Sequence, residues 1–122
     1  MKPWKYDDLP AQMQRQIDAM RAKAEPSTAP PQRKRAKSKT EEQYERELIA
    51  VHGRDNVRYE GITLRLVNGH KYTPDFVILG GARITLIEVK GGYKLPSYQR
   101  ARMAFDQARI DWPMFSFVWV EK

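Results

Sequence analysis

YTPDFVILGGARITLIEVKGG, residues 72–92, holds the two segments on which the fold of this chain turns. The second of them, Arg83–Lys90 (RITLIEVK), is bounded by Gly80-Gly81 and Gly91-Gly92 and reads as a strand. Side chains two apart on a strand share a face. Arg83, Thr85, Ile87 and Val89 therefore lie on one side, and Ile84, Leu86, Glu88 and Lys90 on the other. An acid and an ammonium end a face that is otherwise apolar. Held semi-buried, such groups are costly unless paired or metal-bound. The plain alternative is a strand-end salt bridge beside solvent, which contributes little.

The first segment, Tyr72–Leu79 (YTPDFVIL), places Asp75 after Pro74 and ahead of an apolar run. Proline cannot donate to a strand ladder, so pairing is interrupted where the acid sits. A tight turn at Gly80-Gly81 sets the two segments side by side, and Asp75 and Glu88 can then converge near one end of a sheet. Two carboxylates suit a hard cation such as Mg²⁺, which retains waters and needs few protein ligands. The Val89 carbonyl can add a third oxygen. Lys90 is placed to orient a water or to stabilise charge developing on a phosphate.

Outward from this pair, Thr40 and Gln43 predict a capping box that opens a helix ending near His52, where Gly53 stops it. Tyr44, Leu48 and Val51 form its apolar face, with Ile49 flanking. A strand over Val57–Val67 follows, with Ile62, Leu64 and Leu66 alternating, and Asn68-Gly69 is a hairpin signal. After the central segment, Pro96–Ile110 predicts a helix with Leu95, Tyr98, Ala101, Met103, Phe105 and Ala108 as packing candidates. Met114–Val120 (MFSFVWV) reads as a last strand buried on both faces. Tyr72, Phe76, Phe115, Phe117 and Trp119 have strand spacing and are expected in the core. The order is αβββαβ, an α/β domain with a mixed central sheet and a helix on each face.

Pro74-Asp75, twelve residues, then Glu88-Val89-Lys90 resembles the signature of the PD-(D/E)XK nuclease superfamily. Thr40–Tyr44, YTPDF and IEVKGG are similar to small bacteriophage-type endonucleases of that group, over residues 39–122. The resemblance implies a restriction-endonuclease-like core. It also implies a Mg²⁺-dependent endonuclease, in which Mn²⁺ can substitute. DNA is the implied substrate, branched or otherwise structured like a Holliday junction, in phage-type replication, recombination or DNA processing. Asp75 and Glu88 correspond to the metal ligands and Lys90 to the catalytic lysine. Glu41 corresponds to a further acid on the preceding helix, with Glu45 one turn on as the fallback and helix-dipole compensation as the alternative. Lys94, Gln99, Arg100 and Arg102 occupy the place where such proteins contact phosphate, with solvated helix charges the favoured alternative for any single one. Members of this size often act as homodimers. A non-catalytic nucleic-acid-binding module on the same fold, or a nuclease acting on RNA, are the competing readings.

The chain of 122 residues carries a net charge of +7, with ten Lys/Arg against four Asp/Glu in residues 1–39, a net of +6 there. A basic segment next to a near-neutral domain points to a polyanion partner or to a charged, solvated tether. Residues 1–24 contain a predicted helix over 8–24, with Asp8 as cap and a stripe of Leu9, Met13, Ile17 and Met20 suited to docking or to a partner or dimer contact. Residues 25–39 (EPSTAPPQRKRAKSK) read as a disordered basic linker whose Arg33, Lys34, Arg35, Lys37 and Lys39 can track a phosphate backbone. The folded nuclease domain is expected over 40–122.

With no cysteine, disulfides and thiolate zinc sites are excluded. The two histidines, His52 and His70, lack ligand spacing. There is no apolar run near the ~18 residues of a membrane span, and the first residues lack a signal-peptide core. The expected compartment is the cytoplasm of a bacterial or phage-infected cell.

Overall fold

A computed structural model describes residues 6–22, 37–91 and 96–122. The third expected strand spans Thr85–Lys90 and is β5 in chain order. Around it, β1 (Val57–Tyr59), β4 (Phe76–Ile78) and β6 (Ser116–Glu121) complete a sheet of order β1-β4-β5-β6. β1 pairs antiparallel with β4 and β4 with β5, whereas β6 runs parallel to β5. The sheet is thus mixed, as expected for a chain whose last strand returns through a helix. Helices α1 (Ala11–Arg21), α2 (Lys39–His52) and α3 (Pro96–Asp111) cover it.

Two of the expected strands are each divided. Val57–Val67 becomes β1 and a short β2 (Leu64–Arg65), because Glu60 takes a left-handed backbone (φ 48°) and turns the chain. Gly61 follows, and a Cβ there would meet Met20 Sδ at 2.9 Å and Arg58 Cβ at 3.0 Å, so a larger residue would require the end of the Met20 side chain and Arg58 to give way. Tyr72–Leu79 becomes β3 (Lys71–Tyr72) and β4, broken across Thr73-Pro74-Asp75. β2 and β3 form a separate antiparallel hairpin with Leu64 opposite Tyr72 and Arg65 opposite Lys71. Its loop is a turn over Leu66–Gly69, with Gly69 at φ 89° supplying the left-handed residue. The β4–β5 connection is not a two-glycine turn but spans residues 79–84.

Strand alternation sorts the core into two layers. Phe76, Ile78, Ile87 and Val89 face α2 through Leu48, Tyr44 and Ile49. Val77, Ile84 and Leu86 face the other side, with Phe105 and Ala108 of α3, Leu64 and Tyr72 of the hairpin, and α1. Leu9, Met13, Ile17 and Met20 are all buried there, so of the readings given for the stripe, docking on the chain's own domain is the one the structure shows. Burying a side chain of that size stabilises by about 1.5–3 kcal/mol. Gln16 reinforces the docking by bonding both the amide and the carbonyl of Thr63, and Arg58 Nε donates to the Met20 carbonyl at the helix end.

Other boundaries shift for local reasons. Asp8 belongs to a 3₁₀ turn over Tyr6–Asp8, and α1 starts after Pro10 without a side-chain cap. The capping box is made by Ser38 and Glu41 rather than Thr40 and Gln43, so Lys37–Lys39, read as linker, are ordered at the start of α2. Val51 (77% exposed) and Met103 (71% exposed) stand off their helices' packed faces. β6 is an edge strand among the described residues, half-buried with Val118 exposed, because no described strand pairs beyond it and its apolar run is covered on one side better than the other. No helix among the described residues is long and apolar enough to cross a membrane.

Candidate active site

Pairing of Phe76 with Ile87 and Val77 with Leu86 sets the register of β4 on β5. Continued by one residue, it places Asp75 opposite Glu88. Both are buried, at 4% and 5% exposure, as deeply as the apolar residues beside them. Pro74, itself fully buried, interrupts the ladder there. The Asp75 carbonyl instead accepts from the amide of Glu60 at 2.8 Å, the residue with the left-handed backbone. A strained turn thereby fixes the segment that carries the acid.

Each carboxylate has a defined set of neighbours. Asp75 Oδ2 accepts from the Val89 amide at 2.8 Å. Glu88 Oε1 accepts from the Tyr72 hydroxyl at 2.6 Å, and Glu88 Oε2 lies 3.4 Å from Lys90 Nζ. Glu88 is thus gripped at both oxygens, by a buried phenol and by a lysine still 26% exposed. Tyr72 was expected only as core. Its contact depends on the hairpin folding back over the sheet, which leaves no trace in local sequence. Across the parallel pairing, Trp119 stands beside Glu88 and Glu121 beside Lys90.

Electrostatics sets this corner apart. Burial, then the charge of Glu88 and a hydrogen bond shared with it, push the Asp75 carboxyl up to about 8, against the downward pull of the Val89 amide. Glu41, on α2, adds a further upward push. Glu41 is itself buried, and its Oε1 accepts from the Ser38 amide at 3.0 Å within the capping box. It therefore serves both as cap and as a third negative charge near the pair. Glu45, the fallback, faces elsewhere and pairs with Lys37 at 3.0 Å. Burial and the adjacent Glu88 raise the Tyr72 phenol well above its usual range, so it remains a donor.

The donor set fits a hard divalent cation. Two apposed carboxylates in a buried corner repel each other unless a proton or a cation lies between them. Among the described residues no three His, Cys, Asp or Glu side chains form a ready ligating group, so the set is a carboxylate pair and Glu41 stays with its cap. A pair suffices for Mg²⁺, which binds through one or two carboxylates together with water and substrate phosphate. Val89 enters the site through its amide, already engaged by Asp75.

The expected phosphate contacts divide. Arg33, Lys34, Arg35 and Lys94 lie outside the described residues. Lys37 is held by Glu45 and sits 5.0 Å over the Tyr59 ring. Arg102 pairs with Asp106 at 3.4 Å and lies 4.8 Å from the centre of the Trp119 ring. Lys39, Gln99 and Arg100 are exposed. Tyr98 packs edge-on against Trp119 and donates to Glu121. Comparison with family models, curated proteins and solved structures returned no match.

Proposed function

We propose that this chain is a divalent-metal-dependent endonuclease of PD-(D/E)XK type that hydrolyses phosphodiester bonds in DNA. One observation carries the reading. Asp75 and Glu88 oppose each other across β4 and β5 in a buried corner, and Lys90 reaches Glu88 from the solvent side. The αβββαβ order with a mixed sheet, once the divided strands are counted with their partners, agrees with a restriction-endonuclease-like core.

Mg²⁺, with Mn²⁺ able to replace it, would be held by Asp75 and Glu88 and would supply Lewis acidity and a water of lowered pKa. The chain's own groups do the rest. Val89 orients Asp75 through its amide, and Tyr72 fixes Glu88 Oε1 so that Oε2 is directed towards Lys90. Lys90, partly exposed at the strand end, is free to approach a phosphate from solvent while its stem stays against the sheet. Its ammonium stabilises negative charge growing on the phosphoryl oxygens, a contribution that strengthens as water is excluded. Glu41 adds negative charge beside Asp75, which strengthens the corner's hold on positive charge.

The test is nicking of supercoiled plasmid with Mg²⁺ and with chelator, by the parent and by Lys90→Ala. The parent should cut only with the metal, and Lys90→Ala should bind DNA yet fail to cut. Equal cutting by the variant overturns the mechanism. Four-way junctions, single strands and RNA assayed in parallel identify the preferred substrate, with branched DNA expected first.

A further inference from the structure

The β2–β3 hairpin has two unlike faces. Leu64 and Tyr72 point inwards, fully buried, and Tyr72 ends on Glu88. Arg65 and Lys71, register partners across the hairpin, point outwards and are exposed. Neither has an acidic partner among the described residues. Like charges directly opposite on two strands destabilise the pairing. Strands of two residues each are also too short to hold together alone.

The hairpin is nevertheless pinned from two sides, by α1 and by the end of α3. Gln16 of α1 bonds the Thr63 backbone at both amide and carbonyl, the Trp112 indole donates to the Arg65 carbonyl at 3.0 Å, and Asp111 accepts from the Val67 amide at 2.8 Å. A groove of about 820 Å³ runs beneath it, with Arg65 and Lys71 on its wall and Gln12, Gln16 and Trp112 among its lining. The one acid there, Asp111, is already engaged by Val67 and by Gln107. Two cations without an acidic partner among the described residues therefore stand side by side on a pinned backbone above an open groove, at a cost to the hairpin's own stability.

We propose that this outer face is a second nucleic-acid contact, in which Arg65 and Lys71 grip the phosphate backbone of a DNA duplex outside the cleaved bond. The proposal rests on the nuclease reading only for the identity of the polyanion. Adjacent phosphates supply the complementary charge that the chain withholds, and Trp112 and the glutamines offer the sugar edge an uncharged wall. The contact is sequence-independent, as phosphate contacts are.

The experiment is equilibrium binding of a duplex to the full chain in chelator, across a range of salt. Arg65→Ala/Lys71→Ala should bind more weakly, and the slope of log K against log salt should become shallower by about 1.8, the release expected for two phosphates. Lys71→Glu should weaken duplex binding while raising Tm, since Arg65 then faces an opposite charge. Those opposed signs separate a lost contact from a damaged fold. An unchanged slope in the double variant overturns the proposal. Loss of polyglutamate binding with duplex binding intact also overturns it, in favour of an acidic protein partner. Binding in chelator needs no cutting. A slope that falls in a parent unable to nick plasmid supports the hairpin contact and removes the nuclease reading. Normal Mg²⁺-dependent nicking with an unchanged slope does the reverse.

Discussion

β4 and β5 contain two stretches that are equally buried and chemically opposite. Phe76 and Val77 against Ile87 and Leu86 form a dry apolar ladder, with Phe76 and Val77 at 0% exposure. One step further, Asp75 against Glu88 is buried just as deeply and carries two acids with a third, Glu41, nearby. In the first stretch burial stabilises the fold. In the second it opposes the fold, since burying carboxylates carries a desolvation penalty that Lys90 and the donors from Tyr72 and Val89 must offset. The contrast teaches that equal burial has opposite consequences in the two stretches, and that the acid corner holds a proton or another positive charge that the apolar ladder does not need.

The two stretches should respond to substitution with opposite signs. Phe76→Ala should give the largest effect, a loss of roughly 3–5 kcal/mol in chemical denaturation, because it empties a fully buried ring site. Lys90→Ala should lower stability less than Phe76→Ala does, through loss of the counter-charge to buried Glu88, and should lower cleavage by about 10²–10³-fold, the scale for removing one preorganised charge-stabilising group. Tyr72→Phe removes the donor to Glu88 Oε1 at little cost in volume. It should weaken Mn²⁺ binding by roughly 10–100-fold, as loss of a group supporting a ligand does. A Tyr72→Phe protein with parental Mn²⁺ affinity would show that the phenol only fills space.

The smallest effect is the most specific. Asp75 has a folded-state pKa of about 8, above its ordinary value, so the folded chain binds the extra proton. Its contribution to stability is present in acid and is lost as pH rises from about 4 through about 8. The metal-free parent should therefore lose stability over that window relative to Asp75→Asn, and saturating Mg²⁺ should reverse the trend at neutral pH by mass action. Parallel pH curves for the two proteins would remove the electrostatic argument.

What could be read from the chain follows the same contrast. The faces of β5 came directly from period-two alternation, and Asp75, Glu88 and Lys90 followed because Pro74 and the paired glycines mark the ends of their strands. Ser38-x-x-Glu41 also has the form of a capping box, but a domain boundary set at Thr40 hid it and left Lys37–Lys39 in the linker. The division of Val57–Val67 depends on a non-glycine residue, Glu60, in a left-handed conformation that tertiary packing imposes. The α1 stripe was visible as an apolar face, yet its docking partner, the β2–β3 hairpin, exists only once that division is made. Tyr72 joins the site for the same reason. An apolar run such as residues 114–120 does not by itself distinguish an inner strand from an edge.

Mn²⁺ titration of the parent and of Asp75→Asn, followed by electron paramagnetic resonance, tests the acid corner most directly. The parent should take up a single saturable ion and the variant should lose it while remaining folded. Equal uptake by both proteins, or none by either, would contradict a divalent cation held between Asp75 and Glu88.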